Sequence, residues 1–433
     1  MNKRYLLFCL LLTFPFQGVP QSKHPQVLVY GHGVDAYAAA VQSSMSNLNT
    51  VWVINGDRMM PELTSSLISI AANNNLDAGV WAVLLARTLQ KDKPSDSLSA
   101  VAKRRINPQI AQNVIDSVVK ASKNLTIIKN GELRSVKKSG KSWQVELVDR
   151  TNYKVRAIVD ASTDADLYQM AYGSLDSIRV RTDISEGYFQ SPPYDGLSRT
   201  GVAVGDLGSL SFTLPLAALV PGNDSNLFLT QRSSTIQRLL GHSADDIPLL
   251  MHVGQAVGAA AAYTAFYKIT SDKLDVRNVQ GELLQYGARL MPFVDVPIES
   301  PHFAAIQRIG ATGILLGRIE GGEHLYFDPD TAVTADEIKP VLNQLFSRSQ
   351  IWFVDHADVD TLTLADLFSY IKFVGQRGNE LESQVQKYWK RRFHFEGEYD
   401  EQLRATRRHV AVLLDAYCKP FDVKLGMDGS IQR

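Results

Sequence analysis

Two cysteines in 433 residues, Cys9 and Cys418, are too few for a disulfide framework. Charge of one sign is missing as well. The 45 Lys and Arg balance the 45 Asp and Glu, so no net field draws the chain to nucleic acid or to an anionic membrane surface. The basic, aromatic run KYWKRR at 387–392 reads as a solvated helix face, and no nucleic-acid partner is expected. No Cys/His cluster has metal-ligand spacing, so no metal is expected. The absence of a G-x-S-x-G elbow, a Walker loop and H-E-x-x-H excludes the hydrolases, NTPases and metalloproteases built on those motifs. Beyond the first residues, no stretch is long and apolar enough to suggest a membrane crossing.

What is present is ordinary globular composition, 45% hydrophobic and 21% charged, at a length that usually divides into two or three domains. The opening MNKRYLLFCLLLTFPFQGVPQS places two cations before an apolar run from Tyr5 to Phe16. That pattern predicts a signal peptide over 1–21, with cleavage near Gly18 to Gln21, and a secreted or periplasmic mature chain. A buried N-terminal helix is the alternative. Removal of the segment would leave Cys418 as the one thiol.

QVLVY (26–30), Gly31, the small-residue segment AYAAAVQSSM and TVWVING form a strand–turn–helix–strand unit. Pro61 to Leu89 reads as largely helical. Residues 107–124 place Ile110, Val114, Ile115, Val118 and Val119 on one helical face. LTIIK, GELRSVKK, SWQVELV and YKVRAIVDAST read as four strands, NLFLT (226–230) as another, and 249–268 as a small-residue helix. The pattern predicts an α/β fold: a Rossmann-type FAD/NAD(P)-binding domain over 22–275 with a small β-rich part, then a mainly helical module over 290–433. In that module Thr334, Thr363 and Thr406 each precede an amphipathic helix, a weak internal repeat. Thr334 with Glu337, and Thr363 with Asp366, have capping-box spacing.

In the glycine turn GHGVDA, Gly31 permits the tight turn, Gly33 admits a pyrophosphate, and Ala36 sets the approach of helix to strand. The second strand ends in Asn55, where an acid would ordinarily bind a ribose hydroxyl. Asp35 puts negative charge at a helix N-terminus, the place that should attract phosphate. A helix cap in a site without a dinucleotide is therefore the competing reading. His32, His242, His252 and His302 are the candidate acid–base groups; His252, on an apolar helix, reads more readily as a core histidine.

Three segments together resemble the secreted bacterial FAD-dependent oxidoreductase family. They are the glycine turn, KVRAIVDASTDADLYQMAYG (154–173), and FTLPLAALVPGNDSNLFLTQRSSTIQR leading to MHVGQAVGAAAAYTA. The resemblance covers about 26–268 and implies FAD along the glycine turn. Gly31, Gly33, Ala36, Asn55, Asp164, Arg232, Gly254 and Gln255 would then stand near the cofactor, with Asp160, Asp166 and Gly258 also kept. The departures are Asn55 for the acid, Thr163 and Gln231 for glycines, and Asp245 for an arginine. The stretch from Gly173 to Phe212 is also shorter than the family's substrate-binding insertion. An active enzyme would pass a hydride from a small or sugar-like molecule to the flavin. The alternative is a flavin-free binding or scaffold protein that keeps the fold, a pseudoenzyme. Residues 295–346 resemble an S-layer homology module, with Thr334-Ala335-Asp336-Glu337 where that motif has T-R-A-E. It implies either cell-surface association or an appendage packed on the main domain.

Overall fold

The computed structural model describes residues 24–174, 196–206, 211–220, 226–232, 234–320 and 324–432. The expected signal peptide and part of the 173–212 stretch lie outside them. The first three strands, β1 (Val27–Tyr30), β2 (Thr50–Val53) and β3 (Leu125–Ile128), are runs of β-branched and other apolar residues. After them come an antiparallel meander, β4 (Leu133–Ser139), β5 (Ser142–Leu147) and β6 (Asn152–Val155), and then β7 (Ala157–Asp160). A hairpin, β8 (Gly201–Asp206) and β9 (Ser211–Pro215), precedes β10 (Leu227–Leu229).

The parallel sheet runs β10-β7-β1-β2-β3. Its order reverses between β1 and β7, and at such a switch point a crevice opens beyond the carboxyl ends of the strands. β1, β2 and β7 are buried throughout, as parallel strands covered on both faces must be.

Helix α1 (Val34–Met45) crosses one face of the sheet and is buried from Val34 to Ser44. Against it lies the helix Ile247–Tyr267. The two backbones nearly touch: a Cβ on Gly254 would sit 2.2 Å from the Asp35 carbonyl oxygen, and one on Gly258 2.5 Å from that of Ala39. Two glycines four residues apart thus face two residues four apart, and the axes close to a separation that larger side chains would forbid. With its preceding turn (Ala244–Tyr267), this helix is long and apolar enough to cross a membrane by length and composition, but 89% of its most apolar window is buried inside the protein.

Some elements differ from the sequence reading. Pro61–Leu89 holds only two helices, Pro61–Thr64 and Gly79–Thr88. Between them Asn73 and Asn75 take positive φ, and the backbone is held from outside. Asp245 accepts from the N–H groups of Ala71 and Ala72, Asp206 from Asn73, and Lys103 donates to the Ala72 and Asn73 carbonyls. The stretch YKVRAIVD is two strands, β6 and β7, which belong to different sheets. In the helix Pro108–Ala121, Ala111 and Ile115 are buried, Val114, Val118 and Val119 pack partly buried on the core, and Ile110 is 45% exposed, outside that face.

In the C-terminal part, Thr334, Thr363 and Thr406 cap the helices Ala335–Leu345, Leu364–Val374 and Arg407–Tyr417. The residues before the caps close a ring. Val333 N–H donates to Ala405 O (3.0 Å), Ala405 N–H to Leu362 O (2.8 Å), and Leu362 N–H to Val333 O (3.0 Å). A second ring repeats it, with Ala335 donating to Asp360, Leu364 to Leu403 and Arg407 to Thr331. The weak sequence repeat is thus a pseudo-threefold arrangement about three fully buried side chains. Full capping boxes form at Thr363–Asp366 and Thr406–His409, and at Thr334 only half of one. Glu337 turns instead to the buried Arg407. One continuous apolar core contains residues of both the sheet region and this module.

Candidate functional site

Three strand ends meet at the switch point: Gly31 to Gly33 after β1, Asp160 to Asp164 after β7, and Thr230 to Arg232 after β10. Gly31 has φ +137°, and a Cβ there would fall 2.2 Å from the Ala161 carbonyl oxygen. The turn after β1 therefore lies directly on the turn after β7, and only glycine fits. Gly33 is the N-cap of α1 and offers no side-chain cap.

The space beside that cap holds two carboxylates of the chain itself. A Cβ on Gly33 would meet Asp35 Oδ1 at 2.6 Å and Glu62 Oε1 at 2.9 Å. Asp35, in the first turn of α1, is 0% exposed. Its Oδ2 accepts from Thr230 Oγ1 (2.5 Å) and Gln231 Nε2 (2.9 Å), while Oδ1 has no partner among the described residues. Burial holds the Asp35 carboxyl above the usual carboxylate range despite these donors. Glu62 is pushed up to about 7, by burial first; its own N–H and that of Val34 work the other way, and the Asp35 charge adds to the rise.

The remaining groups are also bound to one another. Asn55 is exposed and its Oδ1 lies 2.5 Å from His32 Nδ1; an amide oxygen only accepts, so the imidazole donates. Arg232 pairs with Asp164 (2.6 Å) and donates to Thr163 O (2.5 Å), joining the loops after β7 and β10. Asp160 accepts from Ser162 Oγ (2.6 Å), Ser162 N–H (3.3 Å) and Tyr168 N–H (2.8 Å). Burial outweighs those donors and pushes it up to about 7.

A family model described as FAD dependent oxidoreductase matches residues 26–176 and 193–283, more than half of the chain. The chain belongs to the FAD-dependent oxidoreductase family. Among solved structures, similarity is found to a bacillithiol disulfide reductase from Staphylococcus aureus at 17% identity and TM-score 0.22, covering 32% of this chain and 38% of that one. A tetracycline destructase matches at 13% identity and TM-score 0.26 over 36% and 43% of the two chains, and T. acidophilum thioredoxin reductase at 14% and 0.21 over 32% and 35%. The chain thus spans under half the length of these structures. No curated protein matches.

A flavin of this family would lay its pyrophosphate on the α1 N-terminus. Two carboxylates occupy that end of the helix, and the ribose-binding position is an amide already engaged by His32.

The site residues expected from sequence fall into two groups. Gly31, Gly33, Asn55, Asp164 and Arg232, with His32, stand just beyond the carboxyl ends of β1, β2, β7 and β10. Ala36, Gly254 and Gln255 lie in the helix packing behind them. Ala36 is fully buried. Gly254 is pressed on Asp35, two turns into a helix that starts at Ile247. Gln255 spends both ends of its amide on the protein, donating to Gln42 Oε1 (2.9 Å) and accepting from Val80 N–H (3.1 Å). His252 donates through Nδ1 to Val204 O (2.8 Å), and burial pushes it down to about 4, so it stays neutral. His302 bonds Phe393 O (2.7 Å) and His242 is exposed. Glu62 and Thr230 escaped the sequence reading. The one cue to Glu62 was the Pro-Glu pair at the start of a short helix.

Proposed function

We propose that this chain is a flavin-free, non-catalytic member of its family, exported by its N-terminal segment and acting as a binding or scaffold protein for a small, sugar-like molecule. The observation that carries the reading is the pair Asp35 and Glu62 at the N-cap of α1. A helix N-terminus gains from nearby negative charge, and here the chain supplies its own, leaving no attraction for a pyrophosphate. Thr230 and Gln231, at the end of β10, hold Asp35 in place. The C-terminal module serves in this reading as an appendage on the same core. Its likeness to S-layer modules suggests association with the cell surface.

Absorption spectroscopy of the purified mature chain tests this. The expected protein is colourless and takes up no added FAD. Asp35→Ala combined with Glu62→Gln should then gain measurable FAD affinity, read by quenching of flavin fluorescence. A wild-type protein with a flavin band near 450 nm, a property of the cofactor, would overturn the proposal. A double variant that binds no better than wild type would overturn the electrostatic account.

A further inference from the structure

Three helices, α1, Gly79–Thr88 and Pro108–Ala121, leave a cavity of about 340 Å³ between them. It reaches Lys123 and Asn124, just ahead of β3, and Asn124 O accepts from Thr50 N–H at the start of β2 (2.8 Å). The cavity therefore lies toward the amino ends of the strands, away from the crevice at their carboxyl ends. Its walls are largely aliphatic: Val41 of α1, Val80 and Val83 of the second helix, and Val118 of the third. Tyr286 adds a ring whose hydroxyl is spent on Met45 O (2.5 Å). A space of this size with apolar walls is in the range that holds a small ligand.

Two features specify the ligand's head group. The first is Tyr37, which lines the cavity, is 1% exposed, and has no hydrogen-bond partner for its hydroxyl among the described residues. Its ring is held against Trp52, edge to face with centres 6.1 Å apart. A buried hydroxyl left unbonded costs free energy, and an acceptor brought into the cavity relieves that cost. The second feature is charge. Arg87 and Lys123 stand exposed in the lining, neither within ion-pair distance of a carboxylate among the described residues, and no acid lines the cavity. Glu282, whose charge acts on Tyr286, is engaged by the Ser46 hydroxyl. Burial holds the Tyr37 hydroxyl above the usual phenol range and the Arg87 charge works against it, so hydroxyl and cation act on the same space. A phenol that keeps its proton and two unpaired cations both ask for a negatively charged acceptor. Other polar groups in the lining are already bound: Ser122 Oγ donates to Val118 O (2.8 Å) and the Asn124 amide to Asn47 Oδ1 (2.9 Å).

We propose that this cavity binds an alkyl carboxylate of medium chain length, its tail between the three helices and its carboxylate on the Tyr37 hydroxyl, facing Arg87 and Lys123. The site does not depend on whether flavin is held at the glycine turn.

Calorimetric titration of the full mature chain with octanoate tests it, with octanol and butanoate as comparisons. Octanoate should bind at one site per chain and at least about tenfold more tightly than octanol. Each methylene added between butanoate and octanoate should tighten binding about fourfold. Arg87→Gln combined with Lys123→Gln, both at exposed positions, should bring octanoate down to the level of octanol and leave octanol unchanged. Tyr37→Phe gives up no hydrogen bond within the described chain, so the melting transition should hold while octanoate weakens at least about threefold. Ala121 is exposed and lines the cavity, so Ala121→Trp places a ring there without touching the core. It should abolish binding of octanoate and octanol alike, again with the melting transition intact. No heat with octanoate, equal binding of octanol by the wild type, affinity that does not grow with chain length, or binding that survives Ala121→Trp would each overturn the proposal.

Discussion

Glu62→Gln is the sharpest probe of the occupied helix end, because its effect should change with pH. Glu62 is held at about 7 against an ordinary value of 4.5, so the folded chain binds its proton more tightly than the unfolded chain does. A folded pKa raised in this way contributes stability that is fully present below about pH 4.5 and is lost as pH rises through about 7. The difference corresponds to about 3 kcal/mol at 1.36 kcal/mol per pH unit. Glu62 is only partly buried, and solvent screening brings the expectation nearer to about 2 kcal/mol. Gln keeps the shape and carries no charge at any pH. At pH 4 the carboxyl is mostly protonated in both the folded and the unfolded chain, and the variant should match wild type. At pH 8 the wild type holds an ionised Glu62 close to Asp35, and the variant should be more stable by about 2 kcal/mol.

Urea unfolding at the two pH values reads this directly, as a midpoint that separates at pH 8 and coincides at pH 4. Asp35 is the companion control, since it faces the same space and its carboxyl is also raised by burial. In an Asp35→Asn background the Glu62→Gln gain at pH 8 should shrink, because part of it is repulsion between the two carboxylates. A Glu62→Gln protein no more stable than wild type at pH 8, or one stabilised equally at both pH values, would refute the picture of two carboxylates crowded at the α1 N-terminus.

Gly254→Ala should destabilise by about 3 kcal/mol or more, because the added methyl would lie 2.2 Å from a backbone oxygen of α1 and must push two core helices apart. Gly281→Ala, at an open helical position, should instead stabilise by about 1 kcal/mol; urea midpoints of the two variants, shifted in opposite directions, check both. Leu362→Ala should cost about 2–5 kcal/mol and loosen the C-terminal ring as a unit, seen as faster hydrogen exchange at Val333, Leu362 and Ala405 together. The Cys418 thiol is pushed up to about 12 by burial, so a maleimide at pH 7.5 should label the native chain at least about a hundredfold more slowly than the chain in urea.

The parallel sheet was legible because its strands are short runs of Val, Ile and Leu separated by turns, and α1 because small residues follow a glycine turn. What escaped was set by distant partners. The segment between Thr64 and Gly79 carries Leu67, Ile68, Ile70 and Leu76 among Ser and Asn, and backbone N–H groups within it go to Asp206 and Asp245, more than a hundred residues away. The C-terminal ring is built from single residues before each cap, too short for any strand pattern, and only the threonine caps announced it. Glu62 reaches the turn because Met60 N–H bonds His32 O (2.7 Å) and folds that helix start back onto it; nothing local in the sequence signals that bond. The glycine turn itself was legible as a fold element, and Asp35 as its anomaly.

Five of the motif residues in this chain have work in the fold that needs no cofactor. Gly31 is required by the carbonyl of Ala161, Gly254 by that of Asp35, and Gly258 by that of Ala39. Gln255 joins α1 to the helix Gly79–Thr88, and Asp160 organises the turn after β7 through Ser162 and Tyr168. Each would be kept by packing alone. Of the departures, Asn55 and Thr163 are exposed, while Gln231 holds Asp35 and Asp245 holds the backbone of Ala71 and Ala72. A family motif in an oxidoreductase of this type therefore carries two signals, one for helix-on-strand packing and one for phosphate. Gly31→Ala and Asn55→Asp separate them. The first should cost stability in any family member, holo or apo. The second returns a ribose-binding acid and should change flavin affinity alone, and only once Asp35 and Glu62 no longer occupy the phosphate end.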